Sequence, residues 1–406
     1  MTLELTLTTM SNGADAIGRH EGKAIFVPFA IPGEAVRVEI VEEKPTFARA
    51  KLIEVLSPSP DRVTPVCKHF GVCGGCQWQH MRYEAQLRWK KQVVIDQLTR
   101  IGGIASPNVL DTIPAPSPLH YRNHVQFSQT EEGKLGFISV QSDKSVLKIE
   151  ECHITHPDIM SLFNQLDIEK LDVERIGVRV TDDDTMIVFE SDSGEPPDVE
   201  LELDASVASV DKDGNVFTMI GSDHLIETIN GRDFKVSASS FFQVNTAQAG
   251  RLVEAAMKGL GVQDGDTVLD LYCGVGLFTA FIAEKAARVI GVESFAPAVR
   301  DAEVNLDEFN NVELYESPVE MAMEHLVKES VQRVILDPPR AGCDKRVLKS
   351  LLKIAPQRIV YVSCDPATLA RDAKRLIAGG YKLESATPLD MFPQTHHIET
   401  VAIFNL

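Results

Sequence analysis

The sequence contains no run of 18 apolar residues, so no α-helical membrane span is expected. Its opening, MTLELTLTTM, has no basic region leading into an apolar one, which argues against a secretory leader. A basic excess is also missing. Forty Lys and Arg stand against 59 Asp and Glu, a net charge of −19, and taken whole that balance argues against a nucleic-acid partner. Cysteines are few, 7 in 406 residues. In an unsecreted chain they point to metal, cluster or catalytic use before disulfides. The expectation is a cytoplasmic protein that makes no contact with a membrane.

The charge is unevenly spread. Residues 161–230 carry 18 acids and 4 bases, net −14, and the remainder is near neutral. Whole-chain charge is therefore a poor guide to whether one face meets a polyanion. A chain of this length with 44% hydrophobic residues implies two or three domains.

The central stretch is Val268–Thr279, VLDLYCGVGLFT. A strand, Thr267 to Leu271, runs into a turn holding Gly274 and Gly276, and a helix pattern follows from Leu277. The next strand, Arg288 to Glu293, ends in an acid 23 residues after Asp270. A glycine turn under the ligand and a carboxylate for ribose hydroxyls form a nucleoside site of doubly wound α/β proteins. The turn reads GxG and stops short of GxGxxG, which makes a dinucleotide the weaker choice. DLYCGVG resembles motif I of S-adenosylmethionine-dependent methyltransferases.

Before this core lie several short strands. Leu3–Thr9, Ala24–Phe29, Ala35–Glu42 and Ala48–Leu56 are separated by Gly and Pro turns, which predicts a small β-barrel. GxAIFVPFAIPGExV resembles a TRAM domain, an OB-like RNA-binding barrel. Cys67, Cys73 and Cys76 follow in CKHFGVCGGCQWQH, and Cys152 in EECH is the remaining cysteine ahead of the core. Thiolate-only ligation suits iron–sulfur or zinc. Zinc usually takes paired CxxC arms, which this spacing lacks, and free thiols are the third alternative. The radical CxxxCxxC pattern is absent.

Tyr83–Ile101 predicts a helix, with Arg88, Lys90 and Lys91 as a solvated face. Arg122 in YRN is read as touching RNA or pairing with a local acid. Strands are predicted at Val125–Ser128, Leu135–Ser139, Val146–Ile149, Ile176–Thr181, Thr185–Glu190, Ser206–Val210 and Val216–Gly221, in an antiparallel central domain with polar loops such as Ser191–Asp198. After a helix at Thr246–Leu260, strands and helices alternate, the pattern of a parallel sheet with helices on both faces. The last two strands, Leu383–Leu389 and Ile398–Phe404, would form an antiparallel edge.

Three strand ends should converge on the ligand: Tyr272–Gly276, Asp337-Pro338-Pro339-Arg340 and Ser363-Cys364-Asp365-Pro366. A helix starting near Pro366 would point its positive end at Cys364 and favour thiolate. Glu399 opens an apolar strand, an odd place for an acid unless it has a chemical role. DPPR resembles the DPPY of amino methyltransferases, but an Arg replaces the aromatic, and a cysteine stands at the next strand end.

VSCDPxTLxRD and HxETV, with SFFQVN before the core and the cysteine spacing, resemble RNA 5-methyluridine methyltransferases over nearly the whole chain. That resemblance implies a class I seven-stranded Rossmann-like methyltransferase with Cys364 as nucleophile and Glu399 as base. It places Gln243, Tyr272, Glu293 and Asp337 at S-adenosylmethionine, and a 4Fe-4S cluster on Cys67, Cys73, Cys76 and Cys152. Uracil C5 is too weak a nucleophile to take a methyl group unaided. A thiolate added at C6 makes C5 carbanion-like, and a base then removes the C5 proton. The target would be a flipped, single-stranded uridine, in ribosomal RNA before transfer RNA. A monomer is expected. The implied division is a barrel at 1–58, a central domain at 59–84 and 117–232, and a methyltransferase domain at 85–116 and 233–406. Well-known members carry Asn after the second glycine, where this chain has Leu277. His396, His397, Cys273 and Cys343 are read as bystanders. Two rivals remain: an RNA-binding iron–sulfur scaffold with an inactive core, and an amino methyltransferase independent of Cys364.

Overall fold

A computed structural model describes residues 1–140, 142–166, 168–192, 195–199 and 203–406. Five strands open the chain: β1 (Thr2–Met10), β2 (Ala16–His20), β3 (Lys23–Val27), β4 (Ala35–Glu43) and β5 (Phe47–Ser57). They close in the order β1-β2-β3-β5-β4, with β4 pairing back onto β1. Alternation explains the closure. Leu5, Leu7, Ile25, Val27, Val36, Val38, Ala48 and Ala50 point inward, and their polar neighbours face out. The strand β2 was not expected from sequence.

Residues 58–82 lead to α1 (Tyr83–Arg100). Trp78 is fully buried here and donates its indole N–H to Ala14 O at 3.2 Å, tying this segment to the barrel. The solvated-face reading of α1 needs a correction. Arg88 and Lys91 are surface residues paired with Asp61 and Asp111, but Lys90 is fully buried, 2.5 Å from the equally buried Asp390. That pair fastens α1 to the far end of the chain, a contact no local pattern could announce.

The central sheet comprises β6 (His124–Gln129), β7 (Leu135–Ser139), β8 (Ser142–Lys148), β9 (Arg175–Val180), β10 (Thr185–Glu190), β11 (Ser206–Val210) and β12 (Val216–Ile220), with helix α2 (Pro157–Phe163) after β8. The order is β12-β11-β10-β9-β6-β7-β8. It is not wholly antiparallel, because β10 and β11 run parallel. The connection between them includes Ser193 and Gly194 of the expected polar loop, which lie outside the described residues. The acidic segment supplies β9 to β12. Cys73 bridges to Ser139 on β7, toward the other end of the sheet. A hairpin follows, β13 (His224–Ile229) and β14 (Arg232–Ser237), turning through Asn230 and Gly231, both at positive φ.

The last part alternates as expected: α3 (Thr246–Leu260), β15 (Thr267–Leu271), α4 (Leu277–Ala283), β16 (Arg288–Glu293), α5 (Ala296–Asn305), β17 (Val312–Glu316), α6 (Val319–Leu326), β18 (Arg333–Leu336), α7 (Lys345–Ile354), β19 (Arg358–Ser363), α8 (Pro366–Ala378), β20 (Lys382–Leu389) and β21 (Glu399–Asn405). The sheet order is β17-β16-β15-β18-β19-β21-β20. The final strand, β21, is antiparallel to both neighbours and lies between them. Of these two, β20 alone is an edge, so the expectation that β21 is also an edge strand is corrected. An interior strand is covered on both faces, which is why β21 is apolar from Val401 to Phe404. Each buried Leu of α8 contributes about 1.5–3 kcal/mol by leaving water, and Leu369 and Leu376 are both fully buried there.

Candidate active site

Strands β15, β18, β19 and β21 stand beside one another, and their site ends carry the chemistry. At the end of β15 the chain turns through Tyr272 (φ 66°), Gly274 (φ 55°) and Gly276 (φ 89°). A Cβ at Gly276 would come within 2.9 Å of Leu306, whereas at Gly274 it would meet nothing within 4 Å. The first glycine is thus backbone open to a ligand, and the second is a packing requirement at the start of α4. Asp270 accepts Thr279 Oγ1 at 2.6 Å and so locks β15 to α4. Burial pushes its carboxyl up to about 7.

Glu293 ends β16. Its Oε2 accepts the Gly274 amide at 3.1 Å, and its Oε1 accepts the amides of Ser294 at 2.6 Å and Phe295 at 2.8 Å. With Ser294 Oγ also donating to Oε1 at 3.3 Å, four donors fix the carboxylate beside the glycine turn. Oε2 keeps capacity for a further donor, as a ribose hydroxyl requires. Tyr272 is half-buried, and its amide donates to Val292 O at 2.9 Å. Gln243 is buried between the hairpin and α3. Asn245 caps α3 and also donates to Met391 O at 3.1 Å, joining this segment to the approach of β21. Leu277 is buried as the first residue of α4.

Asp337 follows β18, and Cys364 follows β19. Glu399 is the first residue of β21, is 4% exposed, and its Oε1 has no hydrogen-bond partner. Burial pushes Glu399 well above the usual carboxylate range, and the neighbouring Asp337 adds to the effect. Burial likewise pushes Asp337 up to about 7. Two carboxyls this close resist ionising together. The Cys364 thiol is pushed up to about 12, first by burial, then by Glu399 and Asp337, while Arg340 acts in the opposite sense. Helix α8 starts at Pro366 as expected, but Asp365 caps it by accepting the amides of Ala367 at 2.9 Å and Thr368 at 2.8 Å. Its amide dipoles are engaged by that carboxylate, and burial dominates, so the expected thiolate bias is not met in this state.

The four cluster cysteines, Cys67, Cys73, Cys76 and Cys152, line a single cavity of about 530 Å³. All are free thiols. Burial and the nearness of the other sulfurs push Cys67 and Cys73 up, and Cys76 up to about 12. Glu151 accepts the Lys68 amide at 2.9 Å, which holds the two cysteine-bearing segments together. Among the described residues, no group of three or more His, Cys, Asp or Glu side chains is arranged to hold a single metal ion.

Sequence reading gave Phe241 no role, and the structure gives Arg122 and His397 partners it did not name. Phe241 is 73% exposed and lines the cysteine cavity, whereas Phe242 beside it is buried. The alternation of an extended segment was the available signal. Arg122 also lines that cavity and donates Nε–H to His124 O at 3.0 Å, a backbone partner in place of the expected acid. His397 faces Arg340, a contact invisible before folding.

No helix among the described residues is long and apolar enough to cross a membrane. The profile of the tRNA (uracil-5-)-methyltransferase family matches residues 210–405, and that of the TRAM domain matches residues 1–53. An uncharacterised RNA methyltransferase of Chlorobaculum tepidum is 34% identical, covering 99% of this chain and 96% of its own. Another from Streptomyces avermitilis is 36% identical over 98% and 97%. Among solved structures, the Pyrococcus abyssi tRNA (uracil-54, C5)-methyltransferase in complex with S-adenosyl-L-homocysteine aligns with a TM-score of 0.77. It is 27% identical and covers 99% of this chain and 100% of that one. Barrel, methyltransferase fold and family thus agree with the sequence reading, and the chain belongs to the RNA (uracil-5-)-methyltransferase family.

Proposed function

We propose that the protein methylates C5 of a uridine in RNA through a covalent adduct of Cys364 at uracil C6. The observation that carries this is the gathering of a thiol, a buried carboxyl with an unpartnered oxygen, and a glycine turn with its fixed Glu293 at neighbouring strand ends. S-adenosylmethionine would supply an electrophilic methyl group at Gln243, Tyr272, Glu293 and Asp337. Cys364 gives up its thiol proton to solvent and adds as thiolate to C6, which makes C5 nucleophilic. Once C5 carries the methyl group, Glu399 takes the C5 proton and the C6–S bond breaks to return the enzyme. A dry environment suits this. Uncharged Cys364 and protonated carboxyls are cheap to bury, and the charge needed for attack appears only when a base has entered.

We further infer that the four cysteines hold a 4Fe-4S cluster. Their thiols line one cavity, and a set of ligands made only of thiolates suits an iron–sulfur cluster. The cluster would brace the loop without contributing atoms to methyl transfer. The division into segments 1–58, 59–84 with 117–232, and 85–116 with 233–406 is part of this proposal, as is a monomeric enzyme. Ribosomal RNA is the proposed substrate. A second reading, transfer RNA, is supported by the full-length likeness to the Pyrococcus enzyme. Mapping 5-methyluridine in both RNA classes from cells lacking the protein tests all of this. Loss of one rRNA site is expected, loss of a tRNA site would select the second reading, and loss of none would defeat both.

A further inference from the structure

A chain of side chains joins the cysteine loop to the surroundings of Cys364. Gln77 directly follows Cys76. Its Nε2 donates to Gly74 O at 2.8 Å, which turns Oε1 toward His396 Nδ1 at 3.2 Å. The His396 and His397 rings lie against each other with centroids 4.3 Å apart and planes inclined by 35°. Beyond them, His397 Nδ1 lies 3.1 Å from Arg340 Nη2. A guanidinium only donates, so this ring nitrogen accepts and the His397 proton sits on Nε2. His396 is the opposite tautomer, since its Nδ1 faces an amide oxygen. Burial, then Lys90 and Arg340, push His396 down to about 4. Burial, then His396 and Arg340, followed by Lys90 and Arg122, push His397 down to about 3. Both rings are neutral near pH 7, and neutrality is what allows His397 to accept from a cation.

Arg340 ends the DPPR turn after β18, next to the end of β19 that carries Cys364. The charged groups acting on the thiol are Glu399 from β21, Asp337 and Arg340 from the β18 turn, and its neighbour Asp365. Arg340 is the cation of that set. Any charge that Asp337 or Glu399 gains opposes the thiolate, so the position of one guanidinium weighs heavily on it.

We propose that His397 is a positioning residue for the nucleophile. It holds Arg340 where the guanidinium favours the Cys364 thiolate, and through His396 and Gln77 that hold depends on the fold of the cysteine loop. The claim rests on Cys364 being the nucleophile. It gives the cysteine loop a part in reactivity that requires no electron or atom from it. It also accounts for two adjacent histidines shortly ahead of Glu399.

The test uses the full chain with its cysteine site loaded and no RNA present. Alkylation of Cys364 by iodoacetamide is followed by peptide mass spectrometry from neutral to alkaline pH. His397→Leu should slow alkylation at neutral pH about tenfold, the change expected for one pK unit of lost thiolate stabilisation. Arg340→Leu should do the same, and the double variant should be no slower than Arg340→Leu alone. Gln77→Leu should shift the profile in the same direction. His397→Gln offers an amide oxygen to the guanidinium and should restore most of the rate, which a merely structural role would not predict. A wild-type profile in His397→Leu, or full additivity in the double variant, overturns the proposal. Continued methylation by Cys364→Ala would instead remove the nucleophile reading beneath it, so the two failures are separable.

Discussion

The amide of Gly274 donates to Oε2 of Glu293 across 3.1 Å, joining the ends of two neighbouring parallel strands at the glycine turn. The contact presets the carboxylate before any nucleoside arrives. Removing it should weaken the bound cofactor by the worth of one or two hydrogen bonds to a charged group, about 1.5–3 kcal/mol each. Glu293→Ala should therefore bind S-adenosyl-L-homocysteine at least tenfold more weakly by calorimetry. Unchanged affinity would move the ribose elsewhere.

Cys364 and Glu399 act at different points of the proposed cycle, so their variants should fail differently. Cys364→Ala should lose turnover altogether. Glu399→Gln should still add to RNA and accept the methyl group, yet be unable to take the C5 proton. A slower-migrating RNA–protein band on a denaturing gel is the expected signature, and its absence would count against Glu399 as the base.

Activity should rise with pH. Burial holds the acidic forms of Asp337, Glu399 and Cys364 in the empty site. Attack and proton removal need the basic forms of Cys364 and Glu399, so kcat/KM should climb from neutral to alkaline pH. A decline over that range, in enzyme shown to remain folded, would contradict the assignment.

Lys90 and Asp390 are both fully buried, and Lys90 also donates to Phe392 O at 3.1 Å. Lys90→Ala leaves a buried carboxylate without its cation and should cost about 3–5 kcal/mol in denaturant unfolding. Exchanging both residues for apolar ones of similar volume should cost much less. Equal losses would mean that the pair stabilises through packing and not charge.

The cysteine cavity has a compositional test. Protein purified without oxygen should carry about four irons and matching sulfide per chain, and Cys152→Ser should lower both. Stoichiometric zinc in place of iron would decide for the rejected alternative.

Local pattern was sufficient wherever a side chain's role depends on near neighbours. The alternating barrel strands, the helix at Thr246–Leu260 and the strand–turn–helix at Thr267–Leu277 were all legible. So was Asn230-Gly231, a hairpin signal flanked by alternating residues, although the hairpin was missed. The short strand β2 was harder, because five residues give a weak period. The sequence by itself determined the family, the strand that ends at Cys364 and the acid that opens β21, because these are carried by residue identity and spacing. Only the tertiary structure decided that β21 is interior, that Lys90 is buried, and that Arg340 reaches His397. The last two depend on residues 57 to 300 positions apart coming together, and the free energy of such contacts comes from desolvation and charge pairing across the fold, neither of which leaves a local period.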